Sequence, residues 1–163
     1  MGTFDDDSAV DEALFGASAA CIVVGPHPPY TDVFCARATE TVLHGMRRLG
    51  MTRLICQTGA MIGDYRGSRS LGFQLMTRLY QRRQPAPHDD RVLQECRVRD
   101  SGLEWTLIKP PRLTMRVPRG SPKVGQDVRM GLLSSVSRHT LGRFIVDEIV
   151  QPRHLQQVVF IRD

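Results

Sequence analysis

The sequence predicts an α/β protein with a mainly parallel sheet and helices on both of its faces. Short runs rich in β-branched residues alternate with longer segments in which apolar residues recur at helical spacing. Glycine follows three of the helical segments, at Gly16, Gly50 and Gly102, where a left-handed residue commonly ends a helix. Because parallel neighbours need a long crossover between them, this alternation favours a sheet of parallel strands.

The composition limits the size and the partners of the protein. With 163 residues, of which 41% are hydrophobic, residues 1–163 are expected to form one domain. The net charge of +5 comes mainly from arginines scattered along the chain, a distribution that predicts no nucleic-acid partner. No run approaches the ~20 apolar residues that cross a bilayer, so no membrane partner is expected.

The cysteines and the acidic start predict a cytoplasmic protein. The four cysteines lack CxxC spacing, and Cys21 and Cys56 lie in strand-like runs where a reduced, buried thiol is expected. The aspartates at residues 5–7 are the reverse of the basic start of a signal peptide.

The amino-terminal half alternates two helices with two strands. A short helix begins at a cap formed by Asp7 and Ser8, and a strand follows at residues 19–24. Gly25 then opens a proline-rich loop that can be neither helical nor paired. The next elements are a helix over residues 31–49 and a strand at residues 53–58.

The carboxyl-terminal half contains three predicted helices and two strands. Residues 71–80 are moderately helical, and Pro85 and Pro87 are expected to break the chain over residues 82–90. The cluster His88-Asp89-Asp90 is expected to cap the helix that follows. The remaining elements are a helix at 90–99, a strand at 105–109, a loop from 113 to 130, a helix at 137–150 and a strand at 157–161.

The stretch over residues 101–113 marks where a ligand is expected. Its strand-forming run ends at Pro110 and Pro111, neither of which can donate to a sheet ladder. Ligands of open α/β sheets bind outside the carboxyl ends of the strands. A site is therefore expected near residues 109–112.

Three segments carry a resemblance to a known family. They are Arg53-Leu-Ile-Cys-Gln-Thr-Gly, Ser101-Gly-Leu-Glu-Trp-Thr-Leu-Ile-Lys-Pro-Pro-Arg-Leu and Val136-Ser-Arg-His-Thr-Leu-Gly-Arg-Phe. In this order and spacing the chain resembles the atypical short-chain dehydrogenase/reductases with NmrA-like, NAD(P)H-binding domains. The resemblance is greatest to the branch with NADH-flavin and biliverdin-IXβ reductases. It implies a Rossmann-like fold over nearly the whole chain.

The resemblance also shows what the sequence lacks. Family members open with a strand and a GxxGxxG turn that binds the dinucleotide pyrophosphate, and this sequence contains no such turn. Thr3 stands where the family has an aspartate near the adenosine. The chain therefore resembles the C-terminal part of an NAD(P)-binding domain, a single truncated domain. Without this turn, NAD or NADP is expected to bind weakly or not at all. The alternative is that Met1 is an internal start and that the turn lies upstream.

The same resemblance predicts an exposed strand edge. The family sheet has the order 3-2-1-4-5-6-7, so without strands 3, 2 and 1 the strand at residues 19–24 becomes an edge. An apolar edge with unpaired backbone groups is a template for another strand. A homodimer or other oligomer is expected to cover it, and the alternative is that residues 1–4 or 114–130 fold back over it.

The resemblance implies the site residues. Thr58 matches a serine or threonine whose hydroxyl faces the nicotinamide or substrate, and the alternative is that it satisfies a loop backbone group. Arg91 takes the lysine position of the family's YxxxK pair and Pro87 the tyrosine position, so the pair is not kept. Thr58 and Arg91 are the expected catalytic residues. The expected cofactor-binding residues are Gly25, Thr58, Pro110, Pro111 and Arg112.

Two classes of function remain open. Without the tyrosine, alcohol oxidation has no general acid or base, whereas hydride transfer to a planar acceptor depends mainly on positioning two rings. The first class is an NAD(P)H-dependent oxidoreductase that reduces a flavin, a quinone or a similar planar acceptor. The second is a non-catalytic Rossmann-like interaction or regulatory module that has lost dinucleotide binding. The five histidines show no ligand spacing, so no metal is expected.

Overall fold

The computed structural model describes residues 6–25, 33–118 and 120–163. Five α-helices and one 3-10 turn, Arg66–Ser68, are present in these ranges. The helices are α1 (Asp7–Leu14), α2 (Cys35–Arg48), α3 (Leu71–Arg83), α4 (Pro85–Arg99) and α5 (Arg138–Val150). The strands are β1 (Ala19–Ile22), β2 (Arg53–Gln57), β3 (Glu104–Lys109), β4 (Arg112–Thr114), β5 (Lys123–Gly125), β6 (Ser135–Ser137) and β7 (Gln157–Arg162).

The main sheet has the strand order β1-β2-β3-β7-β5. Its first four strands are parallel, with Leu54 opposite Trp105 at the centre, which confirms the expected α/β sheet. β5 joins the sheet antiparallel to β7. The prediction of a loop from residue 113 to residue 130 is wrong at β4 and β5, because β4 pairs with β6 and β5 with β7. Such short strands depend on distant partners and carry little local signal.

The sheet has helices on both faces. Leu54 and Leu107 of the central strands pack against α2, in a cluster that includes Met46. Their neighbours Ile55 and Ile108 point to the other face, in a cluster that includes Leu141 of α5. This alternation follows from the two-residue period of a strand, and it places the ends of β2 and β3 in the middle of the molecule.

The two prolines begin a helix instead of breaking one. Pro85 and Pro87 lie in the first turn of α4, where a missing N–H costs little, and only Gln84 separates α4 from α3. The prediction of a break over residues 82–90 is therefore wrong, and so is the prediction that His88–Asp90 caps α4. The Asp90 carboxylate instead accepts hydrogen bonds from two backbone N–H groups at the start of α2, Cys35 N at 2.8 Å and Ala36 N at 3.1 Å.

The start of the chain differs from expectation at two points. Asp6, and not Asp7 or Ser8, caps α1, because its carboxylate accepts from the N–H groups of Ser8 and Ala9. Cys21 is exposed, contrary to the expected burial, because it points away from the core in β1 while Ile22 points into it. Residues 31–32 of the predicted second helix lie outside the described residues.

β1 is an edge strand within the described part of the chain, since its only partner there is β2. A groove of about 230 Å³ runs beside it and is lined by apolar side chains that include Leu14, Ile22 and Val42. In residues 6–25, 33–118 and 120–163, no helix has the length and apolar content needed to cross a bilayer.

Candidate functional site

The candidate site lies where β2 and β3 end beside each other. Thr58 follows β2, and its backbone N–H donates to the Ile108 carbonyl at 3.0 Å. The N–H of Ala60 donates to the Pro110 carbonyl at 2.9 Å. The loops that leave the two strands are thus joined at the carboxyl edge of the sheet, the edge where such folds bind ligands.

The Thr58 hydroxyl binds a side chain and not the loop backbone. It is almost fully buried and donates to Glu95 Oε1 at 2.7 Å. The ammonium of Lys109, at the end of β3, lies 3.4 Å from the same hydroxyl oxygen. Thr58 therefore sits between an acidic and a basic side chain.

Lys109 and Glu95 form a buried ion pair. The second carboxylate oxygen of Glu95 accepts from the Tyr65 hydroxyl at 3.1 Å and from Arg99 at 3.2 Å. The Arg99 guanidinium also donates to the Tyr65 hydroxyl. We call these five residues the buried charge cluster: Thr58, Tyr65, Glu95, Arg99 and Lys109.

Burial and charge set the protonation states of this cluster. Burial lowers the pKa of Lys109 to about 8, against the attraction of Glu95, which raises it. Burial works to raise the pKa of Glu95, but the Lys109 charge and the hydrogen bonds from Lys109 and Thr58 lower that pKa overall. Burial and the adjacent Glu95 carboxylate raise the pKa of Tyr65. The cluster thus keeps an ionised carboxylate beside a lysine that can release a proton at mildly basic pH.

Arg91 joins the carboxyl ends of β1 and β2. Its guanidinium donates to the Val24 carbonyl at 2.6 Å and to the Thr58 carbonyl at 2.5 Å. A longer contact of 3.5 Å reaches Cys35 Sγ. The side chain is buried, and both of its Nη atoms donate to these groups, so Arg91 connects the two strand ends. Its catalytic role remains a prediction from its sequence position.

The expected cofactor-binding residues lie along the same edge, at different depths. A Cβ atom on Gly25 would be 3.3 Å from Arg91 Nη1, so the missing side chain makes room for that guanidinium. Pro110 is buried, Pro111 is half-buried and Arg112 is exposed at the start of β4. The structure therefore brings Gly25, Arg91 and Thr58 together and leaves Arg112 in solvent.

A cavity of about 430 Å³ opens beside the buried charge cluster. Gly63, which has a φ of +70°, lies between the two, because a Cβ atom there would be 2.7 Å from the Tyr65 ring and 3.2 Å from Glu95 Oε2. α3 and the first turns of α4 form the other walls. Six of the lining residues are Gly63, Arg66, Gln74, Arg78, Gln81 and His88.

Sequence reasoning missed Tyr65, Glu95 and Arg99, and it included Lys109 only as the start of the expected ligand region. Glu95 and Arg99 have the spacing of neighbours on one helix face, which was the available signal. Their convergence with Tyr65 depends on the loop after β2, whose path the sequence does not indicate. No group of three or more His, Cys, Asp or Glu side chains that could hold a metal occurs within the described ranges.

The fold and the position of this edge define a Rossmann-fold, NAD(P)-binding type of protein. A family model described as NAD(P)H-binding matches residues 1–152. The chain therefore belongs to this NAD(P)H-binding family. No curated protein sequence matches it.

Solved structures with the same fold cover 98–99% of the chain at low identity. A Rossmann-fold NAD(P)-binding family protein from Shigella flexneri is 18% identical, with a TM-score of 0.70 over 99% of this chain and 68% of its own. A Veillonella parvula short-chain dehydrogenase/reductase in complex with NADP is 13% identical, with a TM-score of 0.78 over 99% and 70%. An anaerobillin reductase from Escherichia coli is 20% identical, with a TM-score of 0.75 over 98% and 72%. At these identities the likeness establishes the fold.

Proposed function

We propose that the protein is an NAD(P)H-dependent reductase that passes a hydride to a flavin, a quinone or a similar planar acceptor. The observation that carries this proposal is the position of Thr58 beside Lys109 and Pro110, at the carboxyl ends of adjacent parallel strands, in a chain of the NAD(P)H-binding family. The relatives with bound NADP and with anaerobillin reductase activity support a nicotinamide cofactor and a reductive reaction.

The residues at this edge would position a nicotinamide ring against the acceptor. The nicotinamide supplies the hydride when it is bound, and the chain orients the two rings. Pro110 and Pro111 form a rigid wall, Gly25 and Thr58 lie on the adjacent loops, and Arg112 is free to pair with a phosphate. Arg91 holds the ends of β1 and β2 in register for this arrangement.

Tyr65 does not replace the tyrosine of the YxxxK pair. Its hydroxyl donates to Glu95, and its pKa is raised by burial and by that carboxylate, the reverse of an activated phenol. An acceptor that takes up a hydride without a tyrosine acid suits this site better than a simple ketone does.

The reductase proposal is tested by the oxidation of NADH and NADPH with riboflavin or menadione as acceptor. Thr58→Val is expected to lower kcat by on the order of tenfold or more, and Thr58→Ser to keep most of the activity. Arg112→Gln is expected to raise KM for the nucleotide, whereas the matched control Arg116→Gln leaves it unchanged. Nucleotide oxidation no faster than in buffer, for every acceptor, would refute the proposal.

A specific observation favours the second function, a non-catalytic interaction module. β1 offers an unpaired edge within the described residues, beside the apolar groove. We propose a homodimer that pairs two copies of this edge, since two-fold pairing protects both strands at once. The proposed catalysis takes place at the carboxyl ends of β2 and β3, whereas the proposed dimerisation takes place along β1. The nucleotide-oxidation assay therefore tests the reductase function independently of dimerisation.

A further inference from the structure

Lys109 carries a charge that is closed off from solvent. Its side chain is 0% exposed, and its ammonium contacts three groups: the Glu95 carboxylate, the Thr58 hydroxyl at 3.4 Å and the face of the Tyr65 ring at 4.3 Å. An ammonium has three N–H donors, so these contacts account for all of them. A buried ion pair contributes little net stability. The stability of the fold therefore does not explain a lysine at this place.

The Thr58 hydroxyl has the geometry of a proton-transferring group. It donates its hydrogen to Glu95 at 2.7 Å, and its oxygen lies next to the Lys109 ammonium. A neighbouring cation makes a hydroxyl more acidic, because it stabilises the anion that remains after the proton has left. If the hydroxyl gives its hydrogen to a ligand, a proton from Lys109 can replace it on the same oxygen. The contact of 3.4 Å is long, as catalytic hydrogen bonds often are before a substrate binds.

Only one of these two side chains lies next to the proposed acceptor site. Thr58 follows β2 at the carboxyl edge of the sheet and is 4% exposed. Lys109 ends β3 and is fully enclosed. A proton from Lys109 therefore reaches an acceptor at this edge through the Thr58 hydroxyl.

We propose that Lys109 supplies the proton for the reduction and that it does so through Thr58, in place of the YxxxK pair that the chain lacks. This inference rests on the proposed function. A quinone that accepts a hydride gains two electrons and one negative charge. The Thr58 O–H bond then breaks as its proton moves to the quinone oxygen, and a proton from Lys109 moves to the Thr58 oxygen. Lys109 becomes a neutral amine, and water returns its proton through the same hydroxyl after the product leaves.

This relay depends on pH, because only the protonated form of Lys109 can donate. Burial lowers the pKa of Lys109 to about 8, so kcat should fall as the pH rises through that value. The charged and titratable groups around Lys109 are Glu95, Arg69, Arg99, Tyr65 and Cys56. Burial raises the pKa values of both Tyr65 and Cys56, so neither group loses its proton near pH 8.

The first test compares kcat for menadione with the protonation of Lys109 itself. Lys109 and Lys123 are the two lysines of the sequence, so a chain labelled with ¹³C-lysine gives two ε-carbon signals. The signal that disappears in Lys123→Met identifies the exposed lysine and leaves the other to Lys109. The Lys109 signal, recorded without nucleotide or acceptor, should titrate at the pH at which kcat falls.

The second test separates the proton of Lys109 from its charge. Lys109→Arg keeps a positive charge beside Glu95, but a guanidinium does not release a proton below about pH 12. We expect Lys109→Arg and Lys109→Met to lower kcat by on the order of tenfold or more and to remove its fall near pH 8. The double variant of Thr58→Val and Lys109→Met should be no slower than either single variant, since the two groups act as a unit. Lys123→Met is the matched control and should keep the wild-type kcat.

Three results would overturn the relay: wild-type kcat in Lys109→Arg, additive losses in the double variant, or a Lys109 titration that does not coincide with the fall in kcat. If neither variant of Lys109 folds, the comparison of the titration with kcat in the wild type decides. Turnover of menadione without a fall near pH 8 refutes the relay and keeps the reductase. No turnover with any acceptor refutes both.

Discussion

The ammonium of Lys109 lies 4.3 Å from the centre of the Tyr65 ring while it is ion-paired with Glu95. A cation over a ring face is attracted by the ring quadrupole, and burial strengthens that attraction. Desolvation nevertheless makes a buried ion pair a weak source of net stability, whereas the loss of one partner leaves an uncompensated charge. Glu95 belongs to α4, Lys109 to β3 and Tyr65 to the loop after β2. These contacts therefore link the three segments at the candidate site.

Removal of one partner of this pair is expected to be costly. Glu95→Gln should lower the free energy of unfolding by about 3–5 kcal/mol, because the Lys109 charge is then buried without its partner. Lys109→Met should lower it by less, because the Glu95 carboxylate keeps its contacts with Arg99 and Tyr65. The double variant should lose less than the two single losses combined. Urea unfolding measures all three, with the exposed pair residue Arg66→Met as a control of little effect. Strictly additive losses would show that the pair does not act as a unit.

The lowered pKa of Lys109 gives a pH-dependent contribution to stability. The native lysine releases its proton at about 8 and the unfolded one at 10.5, so between these values the unfolded chain binds more protons and the free energy of unfolding rises with pH. The charged groups that act on Lys109 are Glu95, Arg69 and Arg99, and the neutral Tyr65 ring lies against its ammonium.

The measurement is the difference in stability between the wild type and Lys109→Met as the pH increases. The difference is needed because Cys56, whose pKa is raised by burial from 9.0 to about 12, contributes stability that is lost above pH 9. From pH 8 to 10.5 the free energy of unfolding of the wild type is expected to rise relative to that of Lys109→Met. A difference in the free energy of unfolding that stays constant over this interval would contradict the lowered pKa of Lys109.

Nucleotide binding by the 163-residue chain is expected to be weak. A GxxGxxG turn normally gives the pyrophosphate several backbone donors and a helix dipole, and hydrogen bonds to charged groups are each worth about 1.5–3 kcal/mol. This sequence has no such turn, so the dissociation constants for NADH and NADPH should exceed the micromolar range. Calorimetric titration measures them, with the NADP-binding Veillonella relative as the positive control. Micromolar or tighter binding would contradict the prediction.

Dimerisation through β1 is expected to depend on Cys21. This side chain is exposed on the edge strand, whereas its neighbour Ile22 is buried and cannot be changed without damage to the core. A lysine on an edge opposes strand pairing. Sedimentation equilibrium should show a wild-type dimer, a Cys21→Lys monomer and an intact dimer for Cys96→Lys, which changes an exposed cysteine of α4. A wild-type monomer at high micromolar concentration would exclude pairing.

The four main strands could be predicted because each is a local apolar run between turn residues. Trp105 and its partner Leu54 illustrate this, since both lie in runs whose burial needs no knowledge of distant residues. The short strands could not be predicted, because Val124 becomes part of the sheet only through its pairing with Ile161. The helix start at Pro85 was misjudged because proline is compatible both with a break and with a first turn.

The candidate site was predictable in position but not in composition. Thr58 and Lys109 end neighbouring strands, and the rule for open α/β sheets is enough to locate them. Glu95 comes from a helix whose rotation depends on its packing, and Tyr65 from a loop held by the three carbonyl contacts of Arg69. Arg78 could not be assigned to a cavity while the orientation of α3 was unknown.

The Asp90 carboxylate couples the local opening of the start of α2 to that of α4. It holds two amide protons at the start of α2, although it belongs to α4, 54 and 55 residues further along the chain. The hydrogen-exchange protection of Cys35 and Ala36 should therefore depend on whether α4 is docked and not only on α2 itself.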